Sequence, residues 1–182
     1  MVDKQASGLS IRVATASDST LLAEVGTETF SDSFAAENTP ENMAIYLTES
    51  FGPERQASEL ADPASRFLII ESDGLTVGYA HIRFGEAPPC IAGKRPMEIK
   101  RFYVRKAWIG KGVGARLMQA CVHEAAGAGC DVIWLDVWER NARAIAFYRE
   151  WGFVEMGTQP FRLGDDLQRD LLMVRAVDRA LA

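Results

Sequence analysis

The chain has 182 residues, 48% of them hydrophobic and 25% charged, and 20 Lys and Arg against 25 Asp and Glu leave a net charge of −5. That length suits a single domain able to bury roughly 70% of its unfolded surface without a metal or disulfide, and the composition excludes disordered, collagenous and coiled-coil chains. The mild negative charge argues against nonspecific nucleic-acid binding, and the longest strongly apolar run, Phe67-Leu68-Ile69-Ile70, falls far short of the ~20 residues that cross a bilayer.

In chain order, Met1 to Leu9 lacks a basic stretch followed by an apolar one, so no secretory leader is expected. Ile11 to Ala14 reads as a short strand. Ser17 or Asp18 then caps a helix to about Phe34, with Leu21, Leu22, Val25 and Phe30 on one side. Thr39 followed by Pro40 opens a second helix to about Glu49, and Pro53 opens a third to about Leu60. Arg66–Ser72 and Leu75–Phe84 read as strands joined by Asp73-Gly74, a strong hairpin signal. A Pro- and Gly-containing loop, 86–95, leads to a strand over Pro96–Val104.

Gly110 to Ala128 reads as a helix with one apolar stripe at 113, 117, 118, 121, 122 and 125. Val132 to Val137 is a mostly apolar strand suited to the centre of a sheet. Asn141 caps a helix to Trp151, which Gly152 ends. Strands at 153–156 and 171–174, joined through Gly164-Asp165-Asp166, complete the chain. The order predicts one α/β domain with a mixed sheet, spanning 1–182 with its core at about 10–176.

Charge is segregated along this order. Asp18 to Asp62 holds ten acidic residues and the single base Arg55, whereas Lys94 to Arg116 holds eight bases and the single acid Glu98. The cysteines, Cys90, Cys121 and Cys130, are odd in number and form no CxxC, and only His81 and His123 could join them. No metal site is expected, and reduced thiols fit a cytoplasmic protein.

Ile109-Gly110-Lys111-Gly112-Val113-Gly114 lies between strand and helix, where clustered backbone N–H groups favour a phosphate. A magnesium-binding P-loop would need Ser or Thr after Lys111, and Gly stands there. A dinucleotide fingerprint is formally met by Gly110, Gly112 and Ala115, but the strand before it is too polar for a buried parallel strand. A glycine helix cap without a ligand is the remaining reading from the residues alone. Further on, Asn141, Ala144 and Tyr148 fall on one helical stripe. Asn141 can both cap the helix and bind an extended ligand, and Tyr148 offers a phenolic proton.

The glycine turn and the segment Asn141-x-x-Ala144-x-x-x-Tyr148-x-x-x-Gly152-Phe153 together resemble the GNAT acetyltransferases, with Ile109 where that family usually has Gln or Arg. Glu28 to Phe34, Asn38 to Met43, Glu98 to Val104, Ile133 to Leu135, Val137 to Glu139 and Gly164 to Asp166 resemble the PaiA-type polyamine acetyltransferases within it. The resemblance implies a GNAT fold, a mostly antiparallel central sheet whose fourth and fifth strands splay, flanked by helices. It implies acetyl-CoA as co-substrate and direct acetyl transfer to a primary amine, with spermidine or spermine as acceptor. A protein or peptide amine, an amino sugar, or a CoA-binding module without turnover are the alternatives.

On this resemblance, acetyl-CoA is held by Phe102, Tyr103, Val104, Ile109, Gly110, Lys111, Gly112, Val113, Gly114, Ala115, Asn141, Ala144 and Tyr148. Tyr148 is the general acid. Lys100 stands where related enzymes often carry Glu, so Glu98, on the same strand face, becomes the candidate base, with His81 beside it on the neighbouring strand. Glu28, Asp32 and Glu37 are expected to receive the acceptor's cations. The resemblance implies a small-molecule amine as partner, no nucleic acid or membrane, and often a homodimer.

Overall fold

The computed structural model describes residues 8–177. The extreme ends, including most of the stretch read for a leader, lie outside the described residues. Seven strands form one sheet in the order β1-β2-β3-β4-β5-β7-β6. They are β1 (Leu9–Val13), β2 (Ser65–Ser72), β3 (Leu75–Phe84), β4 (Pro96–Val104), β5 (Val132–Trp138), β6 (Val154–Leu163) and β7 (Asp166–Ala176). The helices are α1 (Ser19–Phe34), α2 (Pro40–Phe51), α3 (Pro53–Ala61), α4 (Val113–Gly127) and α5 (Ala142–Glu150). None among the described residues is long and apolar enough to cross a membrane.

Every neighbouring pair of strands is antiparallel except β4 and β5. Those two run parallel and pair only at Pro96↔Val132, Met97↔Ile133 and Glu98↔Trp134. Beyond Glu98 they diverge, which leaves the β5-side edge of β4 without a sheet partner. The period-2 alternation of side chains sends each strand's residues to two cores. Leu68, Ala80, Ile82, Met97, Ile99, Ile133 and Leu135 pack with the apolar stripe of α4. On the opposite face, Phe67, Ile69 and Tyr79 pack with Leu22 and Val25 of α1. An aromatic cluster of Phe30, Phe51, Phe34, Tyr46 and Phe161 joins α1 and α2 to β6.

A bulge interrupts β4. His81 pairs with Arg101 and Ile82 with Ile99, so Lys100 is the extra residue. The bulge reverses the alternation, and Lys100 and Arg101 both reach the face covered by α3. The Asp73-Gly74 turn adopts positive φ at both positions, 49° and 80°, as its hairpin requires. α4 begins at Val113 rather than Gly110, because Gly110 and Gly112 hold φ of 79° and 80°, outside helical geometry. β6 and β7 are longer than the predicted 153–156 and 171–174, and Pro160 sits within β6, an edge strand where its missing N–H costs least. The Asn42 side chain accepts a hydrogen bond from Asp165 N–H at 2.9 Å, tying α2 to the β6–β7 turn.

Candidate active site

A cleft of about 640 Å³ opens where β4 and β5 separate. Its first half is backbone-rich. Ile109, Gly110, Gly112, Gly114 and Ala115 line it beside Phe102, Tyr103 and Val104 of β4. No side chain caps α4, so the N–H groups of its first turn are unspent and carry the positive end of the helix dipole. A Cβ built on Gly110 or Gly112 would meet nothing within 4 Å, which leaves the turn open to a ligand. Lys111 and Val113 do not line this space. Lys111 Nζ lies 5.3 Å from the Trp108 ring centroid, and the Val113 side chain is wholly buried as the first residue of the apolar stripe.

Asn141, Ala144 and Tyr148 line the same cleft from α5. The Asn141 carboxamide accepts from Ala144 N–H at 3.1 Å, the capping bond predicted for it. Tyr148 is 8% exposed and sits edge-on to Phe102, Phe147 and Phe153. Burial pushes its phenol above the ordinary value, so it enters any reaction protonated.

The second half is walled by aromatic rings and carboxylates. Phe30 and Phe34 of α1, Tyr46 of α2, Phe161 of β6 and Trp138 of β5 face it, as do Glu98, Asp136 and Asp170. The three acids come from β4, β5 and β7 and share one sheet face. Burial raises the Glu98 pKa, helped by the negative Asp136. Burial also raises Asp136, opposed by a hydrogen bond from Gln159 Nε2 at 2.7 Å. Asp170 is pushed up to about 7 by burial and by the charges of Asp136 and Glu139.

Asp136 and Asp170 were missed in the sequence. A single acid inside Val132-Ile133-Trp134-Leu135-Asp136-Val137 is the signal that could have exposed the first, because an apolar strand has no reason to bury a charge.

Four residues expected at the acceptor end, three as cation binders and His81 beside the candidate base, lie elsewhere. Glu28, Asp32 and Glu37 are exposed and do not line the cleft. α1 turns Thr29, Phe30, Ser33 and Phe34 inward instead, so the charged positions beside that stripe face solvent. Glu28 pairs with Arg105 at 3.1 Å, and Glu37 lies 3.9 Å from Arg140.

His81 is wholly buried outside the cleft, stacked on Phe67 at 3.9 Å and 3.0 Å from Ser65 Oγ. Burial and the neighbouring Arg101 pull its pKa down to about 2, so it stays neutral. Beside it, Glu59 of α3 receives Lys100 at 3.0 Å and both terminal nitrogens of Arg101. Burial opposes the Glu59 charge, but the Arg101 hydrogen bonds and the two cations hold its pKa at about 2. This ion cluster explains Lys100: it is paired to α3 rather than poised as a base.

The family model of the acetyltransferase (GNAT) family matches residues 28–153. An uncharacterized N-acetyltransferase of Lactobacillus delbrueckii subsp. lactis is 33% identical over 153 residues, covering 84% of this chain and 88% of its own. One from Mycobacterium bovis is 34% identical over 158 residues, covering 87% and 97%. Among solved structures, the PaiA N-acetyltransferase of Thermoplasma acidophilum in complex with coenzyme A superposes with a TM-score of 0.74 at 19% identity, over 92% of this chain and 98% of that one. With its splayed β4 and β5, its uncapped glycine turn and these relatives, the chain belongs to the GNAT family and is an N-acetyltransferase.

Proposed function

We propose that the cleft holds acetyl-CoA along its glycine-turn half and passes the acetyl group directly to a primary amine in its carboxylate half, the acceptor being a small polyamine such as spermidine or spermine. The observation that carries this reading is the division of one cleft into two chemistries. One end offers the unspent N–H groups of the uncapped first turn of α4, beside the open glycines 110 and 112, suited to a pyrophosphate. The other offers Glu98, Asp136 and Asp170 among Phe30, Phe34, Tyr46, Trp138 and Phe161. Carboxylates match ammonium groups, and aromatic faces match both the methylene chain and the cations between them. The solved PaiA neighbour shares this fold and is in complex with coenzyme A, in keeping with the cofactor half of the reading.

The thioester arm fits the unpaired edge of β4 at Phe102–Val104, where backbone donors and acceptors stand free of β5. A neutral amine attacks the thioester carbonyl, and a backbone N–H of that edge supports the developing oxyanion. Tyr148, protonated and facing the cleft, donates to the departing thiolate. The three thiols are free, as a reducing, cytoplasmic setting would keep them.

The test is thiol release from acetyl-CoA with spermidine and spermine set beside a peptide with a free N-terminus and an amino sugar. The expected result is release with the polyamines at the highest kcat/KM. Release only with the peptide or the sugar would overturn the acceptor class. Binding of coenzyme A without release for any amine would make the protein a binding module.

A further inference from the structure

We propose that Asp170 of β7, rather than a residue of β4, holds the acceptor's reacting ammonium and takes its proton. The assignment rests on the amine-acceptor reading above. Asp170 is 5% exposed and lines the cleft, and its Oδ1 is buried without a hydrogen-bond partner among the described residues. Burying such an oxygen unpaired is costly, and a cation donating to it removes the cost. The other candidates are already engaged. Asp136 accepts from Gln159, Glu98 lies 3.9 Å from Arg83 Nη1, and His81 is sealed outside the cleft.

Position supports the same residue. Trp138 pairs with Asp170 and Asp136 with Leu172, so the two acids are diagonal neighbours on one face, about 7–8 Å apart at Cα. Around Asp170 stand Asp136 of β5, Glu139 just after it, Tyr46 of α2 and Gln168 on its own strand. Glu98, Lys100 and Arg101 face the cleft from β4. The carboxylates stand among the faces of Phe30, Phe34, Tyr46, Trp138 and Phe161, a lining that suits an organic cation. A carboxylate with a pKa near 7 accepts a proton from a primary ammonium roughly three decades uphill, against more than six for an ordinary Asp.

The step balances. The ammonium gives one proton to Asp170 and becomes a neutral amine. Its lone pair forms the C–N bond, and the C–S bond breaks with its electrons on sulfur. The second nitrogen proton leaves as the amide forms. The thiolate ends as thiol by taking a proton from Tyr148, which the nitrogen's proton replenishes. Asp170 releases its own proton to solvent before the next turnover.

The test compares the pH dependence of kcat/KM for spermidine in the wild type, Asp170→Asn and Asp136→Asn. The wild type is expected to lose activity on the acid side near pH 7 or below. Asp170→Asn should lower kcat/KM by about 10²–10³-fold and abolish that limb, while coenzyme A binding by calorimetry stays unchanged. Asp136→Asn should keep the limb and move it to lower pH, because one negative neighbour of Asp170 is gone. An Asp170→Asn enzyme with wild-type rate and limb overturns the assignment, as does an Asp136→Asn enzyme whose limb vanishes. If Asp170→Asn does not fold, the Asp136→Asn limb decides: a downward move supports the assignment and an unmoved limb overturns it. Wild-type enzyme that releases no coenzyme A with any amine removes the amine-acceptor reading itself, and this assignment with it.

Discussion

Tyr148 and Asn141 lie seven positions apart on one short helix, so their shared stripe follows from helical geometry alone. That is why both could be read in the sequence. Asp136 and Asp170 are 34 positions apart and become neighbours only through the β5–β7 register, which no local pattern announces. The acids of α1 had the opposite fate. Their abundance was legible, but a one-position rotation around the helix separates Glu28 and Asp32 from the inward pair Thr29 and Ser33. Removing the Tyr148 hydroxyl with Tyr148→Phe is expected to lower kcat by about 10²-fold while the acetyl-CoA KM changes little. Steady-state kinetics with acetyl-CoA varied at saturating amine checks this. Exchange of Glu28 and Asp32 for Lys is expected to leave the acceptor KM unchanged, since neither lines the cleft.

Among the elements, the glycine turn and β4 position both substrates. Gly112 at φ 80° has open space around its missing Cβ, so Gly112→Ala meets strain and no clash. The expected cost is about 1–2 kcal/mol, read as a Tm lower by several degrees, with a higher KM for acetyl-CoA and an unchanged one for the amine. Gly78 differs. A Cβ there would stand 2.4 Å from the Tyr103 carbonyl oxygen, across the β3–β4 pair that carries the cleft wall. Gly78→Ala should therefore cost more than Gly112→Ala in a denaturant midpoint and should impair both substrates. Strands β1 to β5 were legible because their apolar runs and the turn residues that bound them agree. The near ends of β6 and β7 were not, because residues such as Gln159, Pro160, Gln168 and Asp170 serve the cleft or an edge and break the apolar pattern.

Across the whole fold, the two oppositely charged stretches meet at two places: Glu59 binds Lys100 and Arg101, and Glu28 binds Arg105, so those acids are spent within the fold. Two buried groups then set opposing responses to acid. His81 is held far below its unfolded value of 6.5, so below that pH the unfolded chain binds a proton the folded one refuses, and stability falls. Asp170 is held near 7, above its unfolded 3.8, so between these values the folded chain binds the extra proton and stability rises as pH falls. Each contributes at most about 1.4 kcal/mol per pH unit. Urea midpoints at pH 7 and 5.5 should show His81→Gln gaining stability toward acid relative to the wild type, and Asp170→Asn losing it. Parallel pH dependence in all three proteins would contradict these placements.

Direct transfer from acetyl-CoA to an amine within the β4–β5 cleft is tested by a single mass-spectrometric measurement. Enzyme, acetyl-CoA and spermidine are mixed, and the masses of both protein and amine are recorded during turnover. The expected result is acetylated spermidine and a protein of unchanged mass, with and without the amine present. Acetyl carried on the protein, or acetyl-CoA left intact beside every amine offered, would contradict it.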